Sequence, residues 1–60
     1  MSKIKVAFNA NGSLLGSTLE ISKDSIDEFW VYKHKRNDGA EERYGIIQDL
    51  IDRKFFGVLI

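Results

Sequence analysis

The residues best suited to chemistry or recognition are concentrated in residues 27–39, DEFWVYKHKRNDG, where aromatic side chains run directly into basic ones. Trp30 and Tyr32 could stack on nucleobases or anchor a protein interface. The residues that follow are Lys33, His34, Lys35 and Arg36. The stretch therefore suggests three kinds of function: nucleic-acid binding, protein binding and catalysis.

Catalysis would depend on His34, the only histidine, because histidine titrates near neutral pH and suits general acid–base chemistry. With the neighbouring cations holding a phosphate ester, it could serve a small ribonuclease-like toxin. A catalytic histidine also needs an orienting partner, and neither a second histidine nor a suitable carboxylate can be identified from spacing. We therefore expect a protein that is not an enzyme.

No metal or cofactor is expected either. The chain has no cysteine, and its scattered glycines form no phosphate-binding loop. Turn and helix-start roles explain the carboxylates at least as well as a magnesium site does. These carboxylates form two groups, Asp24, Asp27 and Glu28, then Asp38, Glu41 and Glu42.

Composition argues against a dedicated nucleic-acid binder, since 9 basic and 9 acidic residues cancel and such proteins usually carry a basic excess. Sixty residues make a single small domain, 1–60, whose core supplies only about 3–5 kcal/mol. Disulfides and a structural metal are ruled out as supplements, so we expect a homodimer or higher oligomer. No apolar run approaches the roughly 20 residues that cross a bilayer, which predicts a cytoplasmic protein.

The first half of the chain has the period-two pattern of a hairpin. Ile4, Val6 and Phe8 alternate with polar residues and predict a strand with one buried face. Asn11-Gly12 favours a turn, and a second strand runs on through Leu15, Ser17, Leu19 and Ile21. A bulge or bend at Gly16 is expected there.

Residues 24–36 allow two interpretations. Ser25 and Glu28 have the spacing of a capping box, which would start a helix. The run Phe29-Trp30-Val31-Tyr32 prefers a strand, and the polar residues after it supply no helical stripe. We favour a turn over 24–27 and a third strand over 28–35.

The second half predicts an amphipathic helix followed by a last strand. Asn37-Asp38-Gly39 is a turn signal, with Asp38 as a helix N-cap. At 100° per residue, an apolar arc forms from Ala40, Tyr44, Ile46, Ile47, Leu50, Ile51 and Phe55. Residues 55–60 are then predicted as a final strand, which completes a β-α-β unit over 28–60. The predicted fold is α+β: a small, mostly antiparallel sheet, β-β-β-α-β, with the helix on one face, strand order 3-2-1-4 and the last strand parallel to the first.

In this fold Phe29 and Val31 would face the helix-covered core. Trp30, Tyr32 and His34 would then lie on the open face, together with Lys3, Lys5, Thr18 and Glu20. We predict a non-catalytic protein-binding module, with a binding site at Trp30, Tyr32, Lys33, His34, Lys35 and Arg36 in which the cations steer an acidic partner. A nucleic-acid-binding regulator that uses the same patch is the alternative. A second hydrophobic layer, or a homodimer seam, would also account for Trp30 and Tyr32.

In size and composition the chain is similar to many short, neutral, cysteine-free accessory proteins of phages and other mobile elements. Several of those occlude a surface of a host protein. The resemblance implies an inhibitor or modulator that acts on a partner protein by the same means.

Overall fold

The computed structural model describes residues 2–9 and 11–60, and five strands in one curled sheet account for most of them. The strand order is β2-β1-β5-β4-β3, with β1 and β5 parallel and the other neighbours antiparallel. One short 3-10 turn, Lys23–Ser25, follows β2. The strands are β1 (Lys3–Phe8), β2 (Thr18–Ser22), β3 (Val31–Lys35), β4 (Glu41–Gln48) and β5 (Phe55–Leu59).

The fold class predicted from the sequence is wrong, because no α-helix is present among the described residues. Residues 41–48 form β4, which is hydrogen-bonded between β5 and β3. Tyr44 and Ile46 fit the two-residue period of a strand as well as the 3.6-residue period of a helix. Ile46 and Ile47 are also β-branched, and such residues favour strands. Leu50 and Ile51, expected on the buried helix face, lie in the β4–β5 turn and are 86% and 91% exposed.

The first hairpin is present, although its second strand begins at Thr18, and Leu15 and Ser17, predicted in that strand, lie before it. Ile4, Val6 and Phe8 of β1 are buried, and β1 pairs with β2 in a register that aligns Val6 with Leu19. The connection is longer than a two-residue turn. It bends at Gly16, whose φ of 80° requires glycine and whose N–H donates to the carbonyl of Phe8 at 2.9 Å.

The third strand is also present, though it begins at Val31, three residues later than predicted. A turn over 37–39 joins β3 to β4, with Gly39 at a φ of 89°. Asp38 accepts a hydrogen bond from the N–H of Ala40 within this hairpin turn and does not cap a helix, which corrects its predicted role.

The parallel pairing of the first and last strands is confirmed, since Val6 lies opposite Phe55. The first strand also lies between the second and the last, as predicted, but the position of the third strand was wrong, because β3 pairs with β4 and not with β2. The sheet has five strands in place of the predicted four strands and a helix. The central strand is β5, and the unpredicted strand β4 lies between β5 and β3.

The core lies on the inner face of the curl, where aromatic rings bridge strands that are not neighbours. The ring of Phe8 is 5.0 Å from that of Tyr44 and 6.0 Å from that of Tyr32. Phe8 also lies directly against Gly57, its partner on β5, where a Cβ would be 2.5 Å from the ring. The buried residues are Ile4, Val6, Phe8, Ile21, Tyr44 and Ile46.

The loop after β1 closes one end of the core. Tyr44 is fully buried, and its hydroxyl accepts a hydrogen bond from the N–H of Leu14 and donates one to Glu42 at 3.0 Å. Glu42 also accepts from the hydroxyl and N–H of Ser13. The loop is therefore held to β4 by polar contacts, and Gly12 fits there because any side chain would meet the Tyr44 hydroxyl.

Within the described residues there is no helix long and apolar enough to cross a membrane.

Candidate protein-interaction surface

The predicted binding patch is divided between the two faces of the sheet. Residues alternate along β3, and Tyr32 packs on the inner face against the core. Lys33 and Lys35 point to the outer face and are exposed. Arg36 lies just beyond the strand, where its guanidinium pairs with Asp38 at 2.9 Å. The sequence placed Val31 on the core side of β3, and Tyr32 and His34 on the open side. The structure shows the opposite, with Tyr32 and His34 on the inner face and Val31 on the outer face, so this prediction is wrong.

Trp30 lies outside β3 with a φ of 61°, an uncommon conformation for a residue with a bulky side chain. Its ring stacks on Phe55 at 6.3 Å with an angle of 8° between the planes, and the Nζ of Lys23 is 5.7 Å from it. Trp30 is 44% exposed. Phe29, predicted as core, is 78% exposed, so the prediction for that residue is wrong. Trp30 covers one end of the inner face while leaving part of its ring accessible.

His34 lies on the inner face, half-buried and opposite Glu42 of β4. It borders a shallow pocket with Ser13 and Arg36. The Ser13 hydroxyl donates to Glu42 and not to the histidine, whereas a serine nucleophile would need the histidine as its base. Hydrogen bonds from Ser13 lower the pKa of Glu42, so this carboxylate stays ionised and accepts hydrogen bonds.

The outer face of the sheet carries an exposed apolar belt. Cross-strand pairing places Ile47 beside Phe56, and Gly45 between Val31 and Val58. Ile60 extends over Gly45, and its N–H donates to the carbonyl of Arg43. The belt consists of Val31, Gly45, Ile47, Phe56, Val58 and Ile60. It crosses three hydrogen-bonded strands, and its exposed members are Ile47, Val58 and Ile60, whereas the other three are half-buried.

Basic residues flank the belt on both sides. On one side, Lys33 lies directly opposite Arg43, a like-charge pair that disfavours the strand pairing. The group formed by Lys33, Lys35 and Arg43 is here called the hairpin cluster. On the other side a cleft of about 520 Å³ is lined by the cleft cluster, which is Lys3, Lys5, Arg53 and Lys54.

On the outer face of the sheet, the alternation of residues along the strands places two acidic residues, Glu20 and Glu41. Glu41 is 3.8 Å from Arg43. The other described carboxylates lie in turns or, for Glu42, on the inner face. A chain with zero net charge therefore has a strongly basic face.

Sequence reasoning placed Lys3, Lys5, Thr18 and Glu20 on one face together with Trp30, Tyr32 and His34. That grouping is wrong, because the first four residues lie on the outer face, whereas Tyr32 and His34 lie on the inner face. The same reasoning did not place Arg43 and Ile47 on the outer face, because residues 41–55 fit a helical period, and it assigned Val58 to the last strand without a face. The signal was present in the alternation of Arg43, Gly45 and Ile47 with Glu42, Tyr44 and Ile46. Two adjacent isoleucines and a central glycine indicate a strand with apolar residues on both faces.

No family model, curated protein or solved structure matches this chain. The described residues also contain no group of three or more histidine, cysteine or carboxylate side chains placed to hold a metal ion.

Proposed function

We propose that this protein is a non-catalytic binding module that docks its outer sheet face on an acidic surface of a partner protein. The observation that carries the proposal is the apolar belt with a basic cluster on each side. Interfaces combine an apolar centre with a polar, charged rim, and complementary charge speeds association. By occluding that surface, the module would inhibit or modulate its partner, as accessory proteins of mobile elements do.

The belt favours a protein partner over nucleic acid. Its exposed members are mainly aliphatic, whereas single-stranded nucleic acids are bound by rows of aromatic rings on which bases stack. The two basic clusters are also separated by the belt and do not form one continuous groove. Nucleic-acid binding stays the alternative, because the basic excess of this face would attract phosphates.

The absence of catalysis is part of the proposal. It is supported by the environment of His34, whose imidazole makes no hydrogen bond to the described residues, and by the engagement of Ser13 with Glu42. Full binding by a His34→Ala variant would agree with a role outside the interface. A hydrolytic activity that is abolished in His34→Ala would contradict the proposal.

The test compares two substitutions at residues of equal exposure. Ile47 lies in the belt and Leu15 in the loop after β1, and each is 57% exposed. Immobilised wild type, Ile47→Thr and Leu15→Thr are incubated with lysate of the source cells after nuclease treatment. We expect wild type and Leu15→Thr to retain the same protein. Retention by Ile47→Thr should be about tenfold weaker, since an interface anchor contributes on the order of 1–2 kcal/mol.

Threonine is chosen because it is β-branched and keeps the strand preference of isoleucine, and far-UV circular dichroism checks the fold. Equal retention by Ile47→Thr and wild type, or retention of no protein at all, would contradict the proposal. If the retained species is nucleic acid when nuclease is omitted, and its binding falls steeply with salt, the alternative function is correct.

A further inference from the structure

The cleft beside the belt is formed where β5 begins later than β1. The first pair between these parallel strands is Val6 with Phe55. Lys3, Ile4 and Lys5 of β1 are therefore bordered by β2 on one side, while no described strand lies on the other. The open margin is about 10 Å long at the rise of a strand.

The register shows which backbone groups face this opening. The N–H of Phe8 donates to Ser17 on the β2 side, and the N–H of Asn9 donates to Gly57 on the β5 side. The N–H and C=O groups of successive residues point to alternate sides of a strand. Those of Lys3 and Lys5 therefore point toward the β5 side. No backbone hydrogen bond from the described residues continues the β1–β5 pairing to the N–H of Lys5.

The two sides of this opening differ in chemistry. Ile4 and Phe55 border it on the inner side, where an added strand would meet apolar surface. On the outer side are the cations of the cleft cluster, together with Thr18 and Phe56, and no carboxylate lines the cleft. The described ion pairs involve none of these cations.

Arg53 adds an independent observation. Its φ is 56°, a left-handed conformation that is uncommon for residues with a Cβ and that glycine or asparagine would adopt more easily. The turn before β5 is closed by a 2.8 Å hydrogen bond from the N–H of Asp49 to the carbonyl of Lys54. The strained backbone at Arg53 is thus part of the turn that places its side chain on the cleft.

From these features we propose that the cleft binds an extended peptide segment of the partner in which acidic and apolar residues alternate. The segment adds to the free margin of β1 in line with β5. Its acidic side chains point outward to Lys3, Lys5, Arg53 and Lys54, and its apolar side chains point inward to Ile4 and Phe55. This is strand addition to a sheet margin, in which main-chain hydrogen bonds give affinity and side-chain alternation gives specificity. The inference rests on the proposed protein-binding function and names the chemistry of the partner.

The test uses an end-capped fluorescent peptide in which glutamate and valine alternate, and the same peptide with glutamine for glutamate. Binding is measured by fluorescence anisotropy at low and physiological salt. We expect the glutamate peptide to bind and the glutamine peptide to bind at least about tenfold more weakly, since four cations face the acidic side chains. Amide NMR signals of Lys3 and Lys5 should shift on binding, while that of Glu20 on the opposite strand shifts less.

Charge-matched variants locate the site. Lys5→Gln/Arg53→Gln removes two charges from the cleft, and Lys33→Gln/Lys35→Gln removes two from the hairpin cluster. The first variant should weaken peptide binding by about tenfold or more, and the second by less than about threefold, because its charges are across the belt. Equal effects of the two variants, or equal binding of the two peptides, would overturn the inference.

Other occupants give different results. If a single-stranded oligonucleotide of equal charge binds more tightly than the glutamate peptide, and its binding falls steeply with salt, the ligand of the cleft is a nucleic acid and not a peptide. Self-association of the wild type that Lys5→Gln/Arg53→Gln abolishes would identify a second copy as the occupant. If the glutamate peptide does not bind but capture of the partner still depends on Ile47, only the inference about the cleft is rejected. If the peptide binds but capture does not depend on Ile47, only the proposed docking face is rejected.

Discussion

Replacement of Gly57 by alanine tests the central packing contact of the sheet. An added Cβ would lie 2.5 and 2.6 Å from Cδ1 and Cε1 of Phe8, whereas ordinary contact begins at 3.4 Å. The overlap of about 0.9 Å cannot be relieved by a small rotation, because Phe8 is fully buried between Tyr32 and Tyr44. Overpacking of this kind typically costs about 1–3 kcal/mol.

That cost is large for a domain of this size, whose core supplies only roughly 3–5 kcal/mol. With an m-value of about 1 kcal/mol/M, the urea midpoint of Gly57→Ala should fall by roughly 1–3 M. Unfolding is followed by circular dichroism and by fluorescence of Trp30, and coincident curves would establish a two-state transition.

Gly45→Ala is the matched control, since Gly45 lies in the neighbouring strand but on the outer face. An added Cβ there meets Ile60 at 3.7 Å, an ordinary contact. We expect no loss of stability, and a gain of up to about 1 kcal/mol from the smaller entropy of the unfolded chain.

A Phe8→Leu background should make the Gly57 substitution less costly, because the colliding ring is absent. A Gly57→Ala protein as stable as wild type would refute the assigned packing of Phe8. An equal loss in Gly45→Ala would show that the backbone, not the collision, is responsible.

Two further predictions concern acid stability and self-association. Since the pKa of Glu42 is lowered from its ordinary value of 4.5, its stabilising contribution is complete above that value and is lost as pH falls through the lower, folded-state pKa. The urea midpoint should therefore drop as the pH is lowered below that ordinary value, and drop less in Ser13→Ala; an identical acid dependence in the variant would be contrary to this assignment. The expected homodimer would not use the basic outer face, where two copies would repel, but the apolar end at the β4–β5 turn, where Leu50 and Ile51 are almost fully exposed. Light scattering should give a dimer for wild type and a monomer for Leu50→Ser/Ile51→Ser, and a monomeric wild type at micromolar concentration would rule the dimer out.

Local patterns determined the features that depend on near neighbours. The alternation of Ile4, Val6 and Phe8 specified the buried face of the first strand, and Asn37-Asp38-Gly39 specified a turn. The apolar character of the last residues was enough to predict a strand there, whereas its parallel direction was predicted from a helical crossover that the structure does not contain. Each of these inferences relied on one period and one burial environment.

The second half of the chain satisfied two periods at once. Tyr44, Ile46 and Ile47 fit a helical arc and also fit a strand that is apolar on both faces, so periodicity could not choose between them. The choice depended on hydrogen-bonding partners for both margins of that strand, which β3 and β5 supply. Pairing with β4 also places Tyr32 beside Tyr44 on the inner face, opposite to the face predicted for it.

The sequence by itself determined zero net charge, a first hairpin and a basic first strand. Only the tertiary structure decided where the charges meet. Sheet order brings Lys3 and Lys5 beside Arg53 and Lys54, residues far apart in the chain, and turns place most carboxylates away from the outer face. Net charge is a sum over residues, whereas a binding surface depends on their positions, and strand pairing sets those positions.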